Sequence, residues 1–385
     1  MKIAQVAPLF ESVPPRNYGG TERVVHYLTE ELVRLGHEVT LFATGDSVTS
    51  ARLVPVCPRA LRTDPGCVDQ LAHQVRLLEE VTRRASQFDV IHFHIDYLHF
   101  PVSRRIRTPH VSTLHGRLDI PDLQPLYREF AEVPLISISD AQRAPLAFAN
   151  WQATVYHGLP HELHTFQPEP GRYLVFVGRV SPEKGLSDAI AISRRVGMPL
   201  RIAAKIDRFD QEYFDTVIRP QLARPDIEFM GEAGGEAKDA LIGGAYACLF
   251  PIGWPEPFGL VMLESMACGT PVIAYRRGSV PEVMRDGVSG FVVDGVDEAV
   301  AALDRVGGLS RRACRDYFEE RFTAPRMAAD YARAYERLAA ARRWPPGEVD
   351  GMARRLELPS TTPLPAGDGG GQPVAKGGPT NGAAG

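Results

Sequence analysis

Short apolar segments alternate with amphipathic segments along most of the chain. In the first half the apolar segments fall at residues 2–7, 38–43, 89–94, 110–115, 134–139 and 153–156, and in the second half at 173–177, 200–204, 227–230, 247–252, 271–275 and 290–293. Most lack strict polar alternation, as expected for parallel strands buried on both faces. Helical patterns, such as residues 21–35 and 239–247, lie between them. This order predicts two doubly wound, Rossmann-like α/β domains with a cleft between them.

The proline-rich segment 159–172 separates the two halves of the pattern. We therefore expect an N-terminal domain over residues 1–160 and a C-terminal domain over residues 170–323. A helix is predicted over residues 324–343, with Pro325 in its first turn, and it either closes the second domain or crosses back to the first. Residues 359–385 are rich in Gly and Pro and contain no aromatic residue, which predicts a disordered tail.

Composition narrows the functional classes. The chain has 385 residues, 44% of them hydrophobic, and a net charge of −4, which argues against nucleic acid as a partner. Its five cysteines include no closely spaced pair, so a disulfide framework or a zinc site is not expected. The sequence shows neither a signal peptide nor a long apolar stretch. These features predict a cytoplasmic protein with at most peripheral membrane contact.

Two glutamates flank a predicted helix start in the segment PEPFGLVMLE, residues 255–264. Pro255 and Pro257 keep Glu256 outside the helix, which is expected to start near Gly259 and to carry Glu264 in its second turn. The free backbone N–H groups at such a start bind anions. Two carboxylates that can hold sugar hydroxyls beside an anion site indicate a sugar-nucleotide ligand.

Two further segments follow predicted strands. Arg179 and Lys184 come after the 173–177 segment, where both could reach one diphosphate. The simpler interpretation is that they are two solvated surface charges. Gly19 and Gly20 precede the first helix and would let a ligand approach the backbone, or form a plain turn. No GxGxxG pattern accompanies them, which argues against a dinucleotide-binding site.

All eleven histidines lie at or before His164, so chemistry in the second domain must proceed without imidazole. His92, His94 and Asp96 would share one face of a strand, as metal ligands could, but a hydrogen-bonded core is the favoured reading. His115 ends another predicted strand, where it is either a core residue or a ligand contact.

These motifs together resemble the family 4 glycosyltransferases, retaining enzymes of GT-B architecture. The resemblance spans most of residues 1–342 and rests on YGGTERV, GHEVTLFA, FDVIHFH, TLHG, ISISD, FVGRVSPEKG, the 255–264 segment and GSVPEVMRDGVSGFVV. It implies that the N-terminal domain binds the acceptor and the C-terminal domain a nucleotide-diphosphate sugar. By position, Arg179 and Lys184 would hold the diphosphate, Glu256 the donor sugar and Glu264 the ribose. His115 would lie near the reacting carbon.

The resemblance also implies further donor contacts. These are Gly19, Gly20, Phe258, Gly259, Leu260 and Glu282. Lys205 departs from the family pattern, since many relatives carry a glycine-rich turn there, so the contacts to the nucleotide base are left open and Lys205 is expected to add a phosphate contact.

The implied reaction is hexosyl transfer with retention, by front-side attack of an acceptor hydroxyl. The chain contains no Asp-x-Asp, so neither a metal nor another cofactor is expected beyond the donor substrate. The acceptor could be a saccharide, a lipid-linked sugar or a small molecule, and the oligomeric state is open. Alternatives are a sugar-nucleotide epimerase of the same architecture, a sugar-nucleotide binding protein without turnover, and a metal-dependent hydrolase built on residues 92–96.

Overall fold

The computed structural model describes residues 1–16 and 19–341. The N-terminal half forms a seven-stranded parallel sheet in the order β3-β2-β1-β4-β5-β6-β7. Its strands are β1 (Lys2–Val6), β2 (Glu38–Thr44), β3 (Arg52–Cys57), β4 (Val90–Phe93), β5 (His110–Thr113), β6 (Leu135–Ser137) and β7 (Trp151–Thr154). Its helices are α1 (Gly20–Arg34), α2 (Gln70–Arg84), α3 (Phe100–Ser103), α4 (Leu123–Glu129) and α5 (Asp140–Arg143).

The second half forms a six-stranded parallel sheet in the order β10-β9-β8-β11-β12-β13. Its strands are β8 (Leu174–Arg179), β9 (Leu200–Lys205), β10 (Ile227–Phe229), β11 (Ala247–Phe250), β12 (Val272–Tyr275) and β13 (Gly290–Val293). Its helices are α6 (Leu186–Val196), α7 (Gln211–Tyr213), α8 (Gly235–Gly243), α9 (Leu260–Cys268), α10 (Val280–Val283), α11 (Val296–Val306) and α12 (Arg311–Arg321).

Burial explains the apolar runs of several strands. The central strands β4, β11 and β12 and the edge strand β13 are buried along their whole length, and hydrophobic clusters lie on each side of both sheets. The prediction of two doubly wound α/β domains is therefore confirmed. The edge strand β3 was not predicted, because it begins with Arg52, contains Pro55 and lacks a continuous apolar run.

Strand order reverses direction once in each sheet. β1 lies between β2 and β4, and β8 lies between β9 and β11, so each sheet has one topological switch point. Ligands of open α/β sheets bind outside the carboxyl ends of the strands at such points. The loops after β1, β4, β8 and β11 are therefore the expected ligand-binding loops.

The last described helix, α13 (Ala324–Ala341), packs against the first sheet rather than the second. Met327, Tyr331 and Tyr335 are buried in one hydrophobic cluster with Ile3 of β1 and Leu28 of α1. The Tyr331 hydroxyl lies 3.0 Å from Thr113 Oγ1, and the Tyr335 hydroxyl lies 2.6 Å from His92 Nδ1. The helix thus completes the core of the first domain.

Across residues 1–16 and 19–341, none of the helices combines the length and apolarity needed to cross a bilayer. The tail predicted over residues 359–385, and the end of the helix predicted to reach residue 343, lie outside the described residues.

Candidate active site

One large cavity lies where the switch points of the two sheets meet. Its volume is about 940 Å³, and loops from both sheets form its wall. The first domain contributes Gly19, Gly20, His94, Asp96, His115 and His157. The second contributes Arg179, Lys184, Lys205, Lys238, Glu256, the start of α9 and Glu264.

A lysine–carboxylate pair occupies the second domain's side of this cavity. Lys184 Nζ donates a hydrogen bond to Glu256 Oε2 at 2.6 Å, and Trp254 Nε1 donates to the same oxygen at 2.9 Å. The Lys184 ammonium also lies 5.2 Å from the centre of the Trp254 ring, within cation–π range. The Glu256 carboxylate is thus fixed in place beside a cation.

Backbone contacts hold the two loops of this pair together. Gly253 N–H donates to the Glu183 carbonyl at 2.8 Å, joining the loop after β11 to the loop after β8. Gly185 has a φ of 73°, and a Cβ there would stand 1.9 Å from the Pro251 carbonyl oxygen. Only glycine permits this close approach, which brings Lys184 up to Glu256.

Helix α9 begins on the wall of the cavity directly after these loops. Its N-cap, Gly259, has a φ of 82° and a ψ of 71°. The first N–H groups of a helix lack intrahelical acceptors and, with the helix dipole, attract anions. The Ser139 hydroxyl donates to the Pro257 carbonyl at 2.7 Å and the Ser279 hydroxyl to the Phe258 carbonyl at 2.9 Å, so the turn before α9 is anchored by both domains.

The second glutamate of the segment, Glu264, is buried one turn further along α9. Its Oε1 accepts hydrogen bonds from Lys238 Nζ at 2.5 Å and from Arg23 Nη1 at 3.0 Å. Burial alone would raise the pKa of this carboxyl group, but Lys238 and Arg23 together hold it below its usual value. Since Arg23 belongs to α1 and Lys238 to α8, the carboxylate links the two domains.

The remaining cations of the wall are also paired with carboxylates. Arg179 Nη2 lies 2.5 Å from Glu183 Oε1, and Arg179 Nε lies 3.3 Å from Asp210 Oδ2. Lys205 Nζ lies 3.9 Å from Asp207 Oδ2. These pairs set the cations in position before an anion arrives.

On the first domain's side the wall contains neutral imidazoles. His94 Nε2–H donates to Gln5 Oε1 at 2.8 Å, which leaves His94 Nδ1 to accept from His115 Nε2–H at 2.9 Å. Desolvation lowers the pKa of His115 to about 3 and that of His94 well below its usual value. The His115 ring stacks on His157 at 5.3 Å, and His157 meets the edge of Phe258 from the second domain at 4.8 Å.

Asp96 lies beside these histidines, at the carboxyl end of β4. Its φ of 50° is the one positive value found at a non-glycine residue in the described ranges. The residue is exposed to the cavity, and desolvation raises the pKa of its carboxyl group to about 6. Residues with a strained backbone and a shifted pKa cluster at functional sites.

Family models match both halves of the chain. Residues 18–155 match Glycosyltransferase Family 4, and residues 164–312 match Glycosyl transferases group 1. The chain is 25% identical over 376 residues to a D-inositol 3-phosphate glycosyltransferase of Mycolicibacterium smegmatis, covering 82% of this chain and 86% of the relative.

Solved structures share the fold. AviGT4, a glycosyltransferase involved in avilamycin A biosynthesis, superposes with a TM-score of 0.68 at 28% identity, covering 89% of this chain and 98% of AviGT4. The Anabaena protein HepE in complex with UDP-glucose gives a TM-score of 0.67 at 17% identity, covering 88% of this chain and 100% of HepE.

The chain belongs to glycosyltransferase family 4. Its two parallel-sheet domains have the GT-B architecture, as the resemblance implied.

Most of the residues expected to form the donor site of this family 4 glycosyltransferase line the one cavity. They are Gly19, Gly20, His115, Arg179, Lys184, Lys205, Glu256, Phe258, Gly259, Leu260 and Glu264. Gly20 and Leu260 bring the starts of α1 and α9 together, since a Cβ on Gly20 would stand 3.7 Å from Leu260 Cδ1.

Glu282 is the exception, because it lies outside the cavity wall. Its carboxylate accepts hydrogen bonds from the Asp140 and Ala141 backbone N–H groups, both at 2.7 Å, and from the Tyr156 hydroxyl at 3.2 Å. These donors belong to the first domain, so Glu282 caps α5 and joins the domains instead of facing the cavity.

The His92 side chain is also hydrogen-bonded within the core of the first domain. Its Nδ1 lies 2.6 Å from the Tyr335 hydroxyl and its Nε2 lies 2.7 Å from Thr113 Oγ1. The His92 and His94 rings lie 3.9 Å apart, but their nitrogens bond to other protein groups, and among the described residues His92, His94 and Asp96 do not form a possible metal-binding group.

Three residues of the site were not recognised from the sequence: Arg23 and Lys238, which line the cavity, and Trp254, which donates to Glu256. Arg23 follows the Gly19–Gly20 pair within the motif YGGTERV, which was the only available signal for it. Lys238 and Trp254 carry no local pattern, and their contacts become visible only once α8, α9 and the loop after β11 are assembled.

Proposed function

We propose that this glycosyltransferase moves a hexose from a nucleotide-diphosphate sugar to an acceptor hydroxyl, with retention and without a metal ion. The observation that carries the proposal is the Lys184–Glu256 pair at 2.6 Å, held beside the start of α9 in the cavity of both switch points. A carboxylate that can accept from sugar hydroxyls and a cation that can bind a phosphate are thereby fixed next to each other.

The cations support the departure of the nucleotide. As the bond to the sugar breaks, negative charge builds on the diphosphate. Arg179 and Lys184, together with the N-terminus of α9, would stabilise that charge without rearranging at the moment of reaction. Removing one such preorganised donor typically costs about 3–4 kcal/mol of transition-state stabilisation.

The placement of the glutamates supports different roles for them. Glu256, beside Lys184, would accept hydrogen bonds from the donor sugar. Glu264 lies deeper, 3% exposed and bonded to Arg23 and Lys238, and would hold the ribose hydroxyls. A nucleotide sugar would then run from Glu264 past the start of α9 to Glu256.

The proposal of retention rests on the family resemblance, and the residues of the cavity wall support metal independence. The imidazole of His115, which lines the cavity, is held neutral by burial and would orient the sugar by hydrogen bonding. Arg179, Lys184 and Lys205 line the cavity, and these three cations would neutralise the diphosphate in the role that a metal has elsewhere. The group His164, Asp239 and Cys268, which could ligate a metal, does not line the cavity.

Donor class is tested first by thermal shift with UDP-, GDP-, ADP- and TDP-glucose. A ligand at 100 times its Kd raises the free energy of unfolding by about 2.7 kcal/mol. The chosen donor is then used to measure transfer, the anomeric configuration of the product by NMR, and the effect of EDTA. We expect retention, with activity unchanged by the chelator.

The catalytic test is Lys184→Ala, with Lys2→Ala as a matched control because Lys2 is exposed at the start of β1. We expect kcat/KM to fall by about 100- to 1000-fold for Lys184→Ala and to stay unchanged for Lys2→Ala, with circular dichroism unchanged in both. Near-normal transfer by Lys184→Ala would refute the assignment. Conversion of the donor to another sugar with no acceptor present would indicate an epimerase instead.

A further inference from the structure

Large apolar side chains are exposed on the first domain's side of the cavity mouth. Phe10, Leu71 and Tyr97 are 37%, 61% and 43% exposed, and all three line the cavity. Phe10 follows β1, Tyr97 follows β4, and Leu71 lies in the first turn of α2. We call these three residues the apolar rim. Clustered exposed apolar side chains beside a binding site mark a ligand or partner surface.

The hydrophobic core beneath the apolar rim is already filled by other side chains. Leu9, Leu61, Leu77 and Ile95 already fill one buried cluster there. On α2, Leu71 and Val75 lie about 40° apart around the helix axis, whereas Leu77 lies about 200° from Val75. The inner face of α2 is thus occupied, and its outer face presents Leu71 and Val75.

The apolar surface continues outside the cavity along α2. Val75 is 59% exposed one turn after Leu71, and Val68, just before the helix, is 98% exposed. The second domain's side of the cavity carries the cations Arg179, Lys184 and Lys205. The exposed large apolar side chains of the wall all lie on the first domain's side, where Arg62 and Asp96 also line the cavity.

We propose that the acceptor is amphipathic: a hydroxyl-bearing head that enters the cavity and an alkyl or aryl group that packs on the apolar rim. This inference rests on the proposed function, because it names the acceptor class for that same site. A longer apolar chain would extend over Val75 toward Val68.

Asp96 is placed to hold the hydroxyl of such an acceptor. It directly precedes Tyr97, so one loop presents a carboxyl group to the cavity and an aromatic ring to its mouth. The positive φ of Asp96 turns this loop, and such strain persists where the surroundings over-determine it. Asp96 would accept a hydrogen bond from the hydroxyl while the apolar rim fixes the orientation of the molecule.

The cavity is large. At about 940 Å³ it is at the upper end of the ~300–1,000 Å³ usual for small-molecule sites. In the proposed arrangement the acceptor head group lies beside the donor, with its apolar group at the mouth.

The test measures binding of two acceptor analogues, methyl and octyl β-D-glucopyranoside, by calorimetry below the micelle concentration. The protein is first saturated with the nucleoside diphosphate of the donor that stabilises it most in the thermal-shift screen. We expect the octyl compound to bind at least about tenfold more tightly than the methyl compound, a difference equal to 1.4 kcal/mol.

Leu71→Ser and Tyr97→Ser are the variants, and Leu35→Ser is the matched control. Leu35 is 45% exposed after α1 and does not line the cavity. Each rim variant should weaken octyl glucoside binding by about fivefold, in proportion to the apolar area lost, and leave methyl glucoside binding unchanged. Leu35→Ser should change neither.

Equal affinity for the two glucosides, or octyl binding unaffected by both rim variants, would overturn the proposal. Sedimentation with vesicles of phosphatidylcholine and phosphatidylglycerol supplies the competing outcome. If Leu71→Ser abolishes vesicle binding while the glucosides bind alike, the apolar rim is a membrane contact and the proposal is wrong. The proposed function fails separately, if no nucleotide sugar binds in the screen.

Discussion

Glu264 illustrates how a single buried carboxylate is kept ionised. Its side chain is 3% exposed, and Lys238, whose side chain is 9% exposed, lies 2.5 Å from it. Taking two charges out of water is costly, and removal of one partner leaves the other uncompensated. Arg23 supplies a second cation from the other domain. Removal of one partner of this pair is therefore more costly than removal of one partner of an ion pair at the surface.

We expect Lys238→Met to lower the free energy of unfolding by about 3 kcal/mol, because it leaves Glu264 buried with one cation fewer. Urea denaturation measures the change. Arg201→Met is the control, since Arg201 and Glu228 are 43% and 58% exposed and such pairs contribute less than about 1 kcal/mol. Equal losses in the two variants would show that burial of Glu264 is not what makes the contact important.

Site residues that stand in a recognisable local motif could be predicted from the sequence. Glu256, Glu264, Arg179 and Lys184 stand in motifs next to strand ends or a helix start, and the structure brings all four into one cavity. Lys238 could not be found in that way, because its partner lies on a different helix. Glu282 was expected at the donor site because its motif lies near the cleft, but its carboxylate faces α5.

Among the elements, α9 depends most on a single backbone conformation. Gly259 ends the loop from β11 with a φ of 82° and starts the helix at the cavity wall. A Cβ there would stand 2.8 Å from Met262 Cε and 3.0 Å from Phe250 Cζ. Both the dihedral angle and the packing thus require glycine.

Gly259→Ala should lower the free energy of unfolding by more than the about 1–2 kcal/mol of the dihedral angle alone. It should also weaken nucleotide binding about tenfold, since the helix start would shift. Gly36→Ala is the matched control, because Gly36 has a φ of 83° and open space around its Cβ position. Denaturation and calorimetry should show a smaller stability loss for Gly36→Ala and unchanged affinity. Equal effects of both substitutions on affinity would contradict the role of α9.

Strands were predictable where the chain has an apolar run. Twelve such runs correspond to the strands other than β3, including the less buried edge strands β7 and β10, and each overlaps its strand. β3 is a strand because its backbone pairs with β2. Arg52 and Pro55 interrupt its hydrophobic pattern, so the sequence of side chains does not reveal it. The sequence could not decide whether the last helix, α13, packs on the first or the second sheet, because both sheets have an apolar face that could receive it.

At the scale of the whole molecule, the first domain contains an unusual number of neutral imidazoles. Burial lowers the pKa values of seven described histidines, and most strongly those of His92, His94, His99, His115 and His157. In the unfolded chain these groups take up protons near pH 6.5. The unfolded state therefore binds more protons than the folded state below that pH.

Stability should consequently fall as the pH is lowered from 7 to 5. Each of these histidines contributes about 1.4 kcal/mol per pH unit below its unfolded pKa. Asp96 and Glu22 act in the opposite direction, because burial raises the pKa values of their carboxyl groups. The histidines are more numerous, so the net slope remains positive with pH. Thermal denaturation across this range measures it, and a flat profile would mean that these imidazoles are charged in the folded protein.

The return of α13 to the first sheet has a consequence for synthesis of the protein. A ribosome releases residues 1–160 long before Tyr331 and Tyr335, which bond to Thr113 and His92. Until residue 341 has emerged, the earliest strands lack part of their interior and its hydroxyl partners. The first domain to be translated is therefore the last to be completed, and neither half of the gene encodes it alone.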